Sequence, residues 1–574
     1  MRKTVVLLLL CFVAYLMQAK TDSLKIDLSG MWRFQLDPMG FGKTPGSELY
    51  LDKLVETIVL PGSTDQGGKG IKNNARYVDR LSRKFEYQGA AWYQREVVIP
   101  EEWKNKDIVL NLERCHWETT VFVDEQLVGM DERLSTPNIF HLTKYLTPGV
   151  HTLTLCVDNR LKYPMDQWNH GTTEYTQTNW NGIIGDISIQ AKEKLHIRRV
   201  NVYPDIENKS VLAKVELSSL TTFQKGSLEL HVREKGGKLV ATHQIGIDSL
   251  VAQEGIEQTI NLGKQIKLWD EFNPFLYELE TTLLVDGKQD TRTITFGMRN
   301  VEQGKHHVRL NGHDIHLRGV LDCAVFPLTG YPSTCVEDWK RIFSTVKEYG
   351  MNHVRFHSWT PPKAAFEAAD ELGLYILSEI FWRDGWMGKE LDIEKVEPFL
   401  HAELRRIADS YGNHPSLVML AMGNELGGFD RNKLDPWIKD VKEHDPRHFY
   451  TASVRRPVTA NSDINFQGDL SSPYPLLFIN EGRLSTDWDY SRWYGDASPL
   501  PSIQHEVGQW VFYPDWNEVN KYTGNLRARS MESYKKLALK HGVYEQNKEF
   551  TQSSGLQSLT LYKENVESLL RTPY

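Results

Sequence analysis

The sequence predicts a multidomain protein in which two β-sandwich domains, a jelly roll and then an immunoglobulin-like fold, precede a (β/α)8 TIM barrel. Three observations lead there. The 574 residues exceed the roughly 100–200 of one domain. The first half reads as short alternating segments separated by turns. From about Val301 onward, strands alternate with amphipathic helices, the grammar of a parallel sheet.

The expected divisions are a signal peptide over 1–19, a jelly roll over 20–194, a sandwich over 195–301 and a barrel over 302–574. Hydrophobic residues at 40% and aromatic residues at 11% supply several cores. With 67 basic against 75 acidic residues the net charge is −8. No Lys/Arg run could follow a phosphate backbone, so nucleic acid is excluded as a partner.

At the N-terminus, Arg2 and Lys3 precede the apolar run Thr4 to Met17 and then Gln18-Ala19, the pattern of a secretory signal peptide cut near Ala19. The run is shorter than the roughly 20 residues of a membrane span. Leu10 before Cys11 is too bulky for a lipid-anchor site. The mature chain is expected to be soluble, without a membrane span, and periplasmic or extracellular. Cys115, Cys156, Cys323 and Cys335 make no disulfide framework and no zinc motif. Cys323 and Cys335 remain open between a pair and free thiols.

In the jelly-roll region the strands read as Trp92–Ile99, Thr119–Asp124 and His151–Val157, and in the sandwich as Ser227–Val232 and Leu276–Leu284. The first helix of the βα region is Glu337–Tyr349, with Trp339, Ile342, Phe343 and Val346 at helical spacing and Gly350 as its stop. The strand Asn352–Arg355 follows, then a helix over Lys363–Leu372 closed by Gly373 and the strand Leu374–Ser378. A long helix over Glu394–Tyr411 leads to the strand Ser416–Met422. Units of this length, without a Gly-rich phosphate loop, favour a TIM barrel over a doubly wound sheet.

A TIM barrel carries its reactive groups at the C-terminal ends of its strands. Asn424 and Glu425 follow the fourth strand, and Glu506 ends the short strand Pro501–Glu506. Two carboxylates on separate strand ends are glycosidase equipment: one protonates the leaving oxygen, the other attacks the anomeric carbon.

Several segments resemble the catalytic barrel of glycoside hydrolase family 2, the family of β-galactosidases, β-glucuronidases and β-mannosidases. They are His316–Val320, Asn352–Ser358, Ala369–Tyr375, Gly412–Ser416 and Gly423-Asn424-Glu425. Trp180–Ile187 resembles the family's sugar-binding jelly roll, and Phe296–Arg299 the end of its middle domain.

The resemblance implies that Glu425 is the acid/base, that Asn424 holds the sugar 2-hydroxyl and that Glu506 is the nucleophile of a retaining mechanism. Glu481 is the competing nucleophile, since it too follows an apolar run and an Asn. Arg355 matches the arginine that keeps the nucleophile ionised. His357 and Glu379 match positions near the substrate or a bound cation. Trp359, Trp382 and Trp386 are read as sugar platforms. No cofactor or metal is required, a divalent cation near Glu379 being the one candidate.

The expected activity is that of an exo-acting β-glycosidase on oligo- or polysaccharides, with β-galactoside first and β-glucuronide or another family 2 substrate as the alternative. Met422-Gly423-Asn424-Glu425 lacks the longer Trp-containing run of the mannosidases, and no late Asn-x-Lys element reads a glucuronate carboxylate. A homo-oligomer is neither required nor excluded. Seven barrel strands are countable, near His316, Asn352, Leu374, Leu417, Phe449, Ile464 and Ile503; Arg527–His541 and Gly555–Leu570 read as helices. The expectation is therefore a chain that stops before the eighth strand. A truncated, inactive sugar-binding relic is the reading opposed to an active enzyme.

Overall fold

The computed structural model describes residues 24–572 except 76, 164–168, 177–178, 219–222, 249–254, 383–392, 427–429, 455–457, 468–488, 490–499 and 509. The expected signal peptide, Trp386 and Glu481 lie outside the described residues.

The N-terminal region is a sandwich of two antiparallel sheets. One places Gly182–Lys192 at its centre against Asp107–Cys115 and Lys25–Asp27; the other runs Gln126–Glu132, Glu118–Val123, Gly149–Asp158, Ala90–Ile99, Gly30–Asp37, Glu56–Leu60. Alternation drives the packing: Tyr93, Val97, Leu110, Leu112, Leu153, Leu155, Ile187 and Ile189 point between the sheets and form one core. A second sandwich follows. It sets Ile197–Asp205, Ser210–Leu217 and Ile256–Asn261 against a four-stranded sheet containing Gly226–Glu234 and Leu276–Val285. Its core holds Val200, Val215, Leu228, Leu230, Leu279 and Phe296.

Beyond Gly297 a three-stranded antiparallel sheet, Val301–Gln303, Val308–Leu310 and His313–Asp314, leads into the parallel region. The strand expected near His316 is therefore displaced. The preceding Asn311-Gly312 pair has φ of +53° and +81°, the backbone of a tight hairpin. That turn commits His313–Asp314 to antiparallel pairing, and the first parallel strand starts only at Gly319.

Five strands then pair in parallel in chain order: Gly319–Asp322, His353–Phe356, Tyr375–Glu379, Leu417–Ala421 and Phe449–Thr451. Asn465–Gln467 and Ser502–Gln504 form a separate parallel pair. Among the described residues, Gly319–Asp322 has one sheet neighbour, His353–Phe356. Gly555–Leu570 lies in the helix Asn547–Arg571. The central strands are buried on both faces, as in a sheet covered by helices. The helix Lys363–Leu372 turns Ala364, Ala365, Ala368 and Ala369 inward, and these small side chains allow close approach. It ends at Gly373, whose φ of +70° closes the last turn through a bond to the Ala369 carbonyl.

Buried polar clamps dock the sandwiches onto the parallel region. Arg299 donates to the carbonyls of Pro415 (2.9 Å), Arg447 (2.6 Å) and Leu417 (2.8 Å). Trp269 donates to the Asp370 carbonyl at 2.8 Å. On the other side Glu403, fully buried, accepts from the Ser135 backbone at 3.1 Å, and Tyr411 donates to the Ser135 carbonyl at 2.8 Å.

Burial also holds two histidines neutral, His116 with its pKa down to about 3 and His353 to about 4. Each released imidazole returns to about 6.5, so below that pH the unfolded chain binds more protons and stability falls as pH drops. The predicted loss is about 1.4 kcal/mol per pH unit for each histidine within its window. Calorimetric melting between pH 7 and 4.5 should show the midpoint falling from about pH 6.5; a flat midpoint to pH 5 would contradict it.

Candidate active site

Parallel pairing brings the C-terminal ends of the strands to one edge, and that edge collects the polar side chains. Arg355 lies inside its strand with a side chain 4% exposed. Its guanidinium reaches the ends of three other strands. Nε donates to Glu379 Oε1 at 2.6 Å, Nη2 to Asn424 Oδ1 at 2.7 Å, and Nη1 to Glu506 Oε1 at 3.2 Å and the His505 carbonyl at 3.3 Å. A buried cation is tolerable only when its donors are taken up by charge and hydrogen bonds together, as here.

Glu506 is the carboxylate this cluster tunes. Burial pushes its pKa up. The approach of His357 and the charges of His505 and Arg355 outweigh burial and hold it well below the usual carboxylate range. His357 Nε2 lies 3.6 Å from Glu506 Oε1, and Ser358 Oγ fixes His357 Nδ1 from 3.0 Å. Burial lowers the pKa of His357 itself, so near neutral pH its neutral form is favoured.

Glu425 sits across the same edge in a strained turn. Gly423 has φ of +144° and Glu425 φ of +50°, a region costly for a side chain other than glycine's. The turn is pinned from both sides: Asn424 N donates to the Trp382 carbonyl at 2.9 Å, Glu425 N to the Val454 carbonyl at 2.8 Å, and Val454 N to the Gly423 carbonyl at 2.9 Å. His505 Nε2 lies 3.9 Å from Glu425 Oε1 and 3.7 Å from Glu506 Oε1. The two carboxylates therefore flank one imidazole edge, a proximity that admits the roughly 5–5.5 Å separation of retaining glycosidases. Their side chains keep 12% and 14% exposure, so both open toward solvent.

Three expectations need correction. Glu379 is sealed off from ligand: its side chain has no exposed surface, Oε1 is held by Arg355 and Oε2 by the Ser358 backbone at 2.8 Å. Both oxygens are engaged, so the residue anchors the arginine. Among the described residues no group of three or more His, Cys, Asp or Glu is placed to hold a metal ion. Trp359 is 4% exposed and packs edge-on against Phe326 and Phe356. Trp382 is fully buried, its ring tilted against Trp437. Both indoles are core side chains, because so much apolar area gains more from burial than from a wet rim.

Sequence reasoning assigned no role to His505, although it precedes Glu506, nor to Ser358, whose φ of +54° turns its backbone N–H toward Glu379. Asp322, at the end of the first parallel strand, was also passed over. Burial pushes its carboxyl up to about 6, and its carbonyl accepts from His357 N at 2.9 Å.

A multidomain scaffold of two sandwiches and a parallel α/β region, with paired carboxylates at the strand ends, belongs to the glycosidase class of architecture. Residues 25–192 match the family described as glycosyl hydrolases family 2, sugar binding domain, and residues 195–299 match glycosyl hydrolases family 2. The two sandwich domains belong to this family.

A putative β-glucuronidase of Formosa agariphila is 24% identical over 491 residues, covering 83% of this chain and 44% of the relative. A β-galactosidase of Vibrio vulnificus is 26% identical over 443 residues, covering 73% and 42%. The chain thus spans less than half the length of these curated relatives. The β-D-glucuronidase structure from Dictyoglomus thermophilum superposes with a TM-score of 0.65 at 20% identity, over 84% of this chain and 83% of that one. The Ruminococcus gnavus β-glucuronidase gives 0.68 at 18%, over 85% and 84%. These likenesses establish a shared fold.

The Gly423 turn generates a direct test. A Cβ there would lie 2.1 Å from the Trp382 carbonyl oxygen. Gly423→Ala is expected to cost at least about 2 kcal/mol in urea unfolding and to displace Glu425. A variant of parental stability would contradict the pinned turn.

Proposed function

We propose that this chain carries the catalytic site of an exo-acting, retaining β-glycosidase, with Glu506 as nucleophile and Glu425 as general acid/base. The observation that carries the reading is the meeting of two carboxylates from separate strand ends around His505, one of them held ionised. Glu506 is held ionised by His357, His505 and Arg355 against the pull of burial, whereas Glu425 sits in a separate turn, 3.9 Å from the imidazole of His505. Opposite protonation states of neighbouring carboxylates are what the reaction needs.

In this mechanism Glu506 attacks the anomeric carbon while Glu425 gives its proton to the departing oxygen. The covalent glycosyl-enzyme is then cleaved by a water that Glu425 deprotonates. Asn424, oriented by Arg355, hydrogen-bonds the sugar 2-hydroxyl, and His357 and His505 line the site near the nucleophile. No cofactor enters either step.

The proposed substrate is a terminal β-galactoside, in line with the relatives named β-galactosidase. A β-glucuronide is the second reading, favoured by the larger share of this chain that matches the Formosa relative. In the architecture proposed, the five-stranded and two-stranded parallel sheets are arcs of one (β/α)8 barrel. Its eighth strand would pair with Gly319–Asp322, where Val320 and Leu321 are 36% and 42% exposed. Export through the N-terminal signal peptide remains part of the proposal.

Two experiments test these roles. Glu425→Ala should lose about 10²–10⁴-fold in kcat on substrates with poor leaving groups, spare highly activated aryl glycosides, and regain turnover with azide as the β-glycosyl azide. Equal loss on all leaving groups without rescue would remove Glu425 from the role. Arg355→Met should raise the Glu506 pKa. Because the nucleophile must be ionised, activity falls as pH drops through that value, so the acid limb of kcat/KM should move to higher pH; an unmoved limb would show that Arg355 does not tune the nucleophile.

A further inference from the structure

The first sandwich reaches into the candidate site, and the contact is made by a residue that the proposed chemistry leaves unused. His170 stands edge-on to His357, ring centroids 4.6 Å apart and planes at 89°. His357 in turn approaches Glu506, so an N-terminal side chain stands two contacts from the proposed nucleophile. The tight turn carrying it folds on the fully buried Asn169, whose carbonyl accepts from the Thr172 backbone and from the hydroxyls of Thr172 and Thr173. Gly171, at φ of +87°, seats the turn against Trp359; a Cβ added at this glycine would lie 3.9 Å from the Trp359 Cβ.

Two clasps hold the far side of this turn. Arg83, 2% exposed, approaches Glu174 through Nε at 3.4 Å, donates to Asp65 at 3.0 Å and to the Gly330 carbonyl at 3.0 Å. Its strand, Ser82–Arg83, pairs with Leu526–Arg527, so Arg83 is fixed by segments before and after the proposed nucleophile. The Arg80 guanidinium lies over the ring of Tyr175, next to Glu174, at 4.2 Å and over that of Tyr77 at 4.3 Å. Such stacking restrains a loop without closing it to solvent.

We infer that His170 is a substrate-contacting specificity residue, forming the wall of the sugar site beside His357, and that Arg83 and Glu174 are positioning residues for the turn that presents it. An imidazole on that wall offers one hydrogen bond to a hydroxyl or carboxylate of the terminal sugar. The inference rests on the glycosidase reading for the identity of the ligand, and it assigns part of the recognition to the first sandwich.

The test is a double-mutant cycle on the full chain, with His170→Ala, Glu174→Ala and the pair. Arg83 is left intact because its replacement would strand Asp65 in the interior. The first readout is the Kd, by calorimetry, of iminosugars of galacto and glucurono configuration, and the second is the split between KM and kcat on an aryl β-glycoside. His170→Ala should weaken iminosugar binding and raise KM about tenfold, with kcat on an activated substrate changed less than about twofold. Glu174→Ala should do the same more weakly, and the pair should be no worse than His170→Ala alone. Binding that His170→Ala leaves unchanged, additive losses in the pair, or no binding of either iminosugar by the parent chain would overturn the inference. Iminosugar binding that depends on His170 in a chain without hydrolysis would uphold it and defeat the catalytic reading instead.

Discussion

The arrangement depends on one guanidinium. Arg355 is buried in the second parallel strand and is shared by Glu379, Asn424 and Glu506, which come from three other strand ends. A buried charge that lost one of these partners would be destabilising by several kcal/mol, so the strand ends are held in register by the same contact that sets the charge of Glu506. Structural and chemical roles coincide in it. Glu379 illustrates the division of labour: fully enclosed, it neutralises part of the arginine's charge, and this leaves Glu506 bound to the cation yet open to solvent.

Around that contact the backbone is held away from its relaxed conformations. Ser358 and Glu425 both adopt positive φ, and each is offset by hydrogen bonds from neighbouring strands: Ser358 N to Glu379, Glu425 N to Val454. Strain supported by several elements at once is a means of preorganisation. The sandwiches extend the support outward, through Arg299 at one end of the parallel region and Glu403 with Tyr411 at its side. The site is therefore a property of the docked domains together.

Much of this was legible in the sequence. Helix stops at Gly350 and Gly373, and the periodicity of Trp339, Ile342, Phe343 and Val346, located the helices within a residue or two, because local backbone chemistry decides such ends. The pairing of Glu425 with Glu506 was readable as two carboxylates after apolar runs. What escaped depends on contacts distant in the chain. The burial of Trp359 and Trp382 follows from Phe326, Phe356 and Trp437, and the sealing of Glu379 from Arg355 and Ser358. The Asn311-Gly312 hairpin is a different kind of miss. Its signal is local and strong, and reading it would have placed the first parallel strand at Gly319 at once. His170 escaped because its partner lies in another domain.

If the Arg355 cluster holds Glu506 as the group that attacks the sugar, the covalent intermediate must form there. The most direct measurement is trapping with 2-deoxy-2-fluoro β-glycosyl fluorides of galacto and glucurono configuration, followed by peptide mass spectrometry of the labelled chain. The predicted result is one glycosyl group per chain on the peptide containing Glu506, and none in Glu506→Gln. A label on Glu481, on Glu425 or on any residue that persists in Glu506→Gln would contradict it.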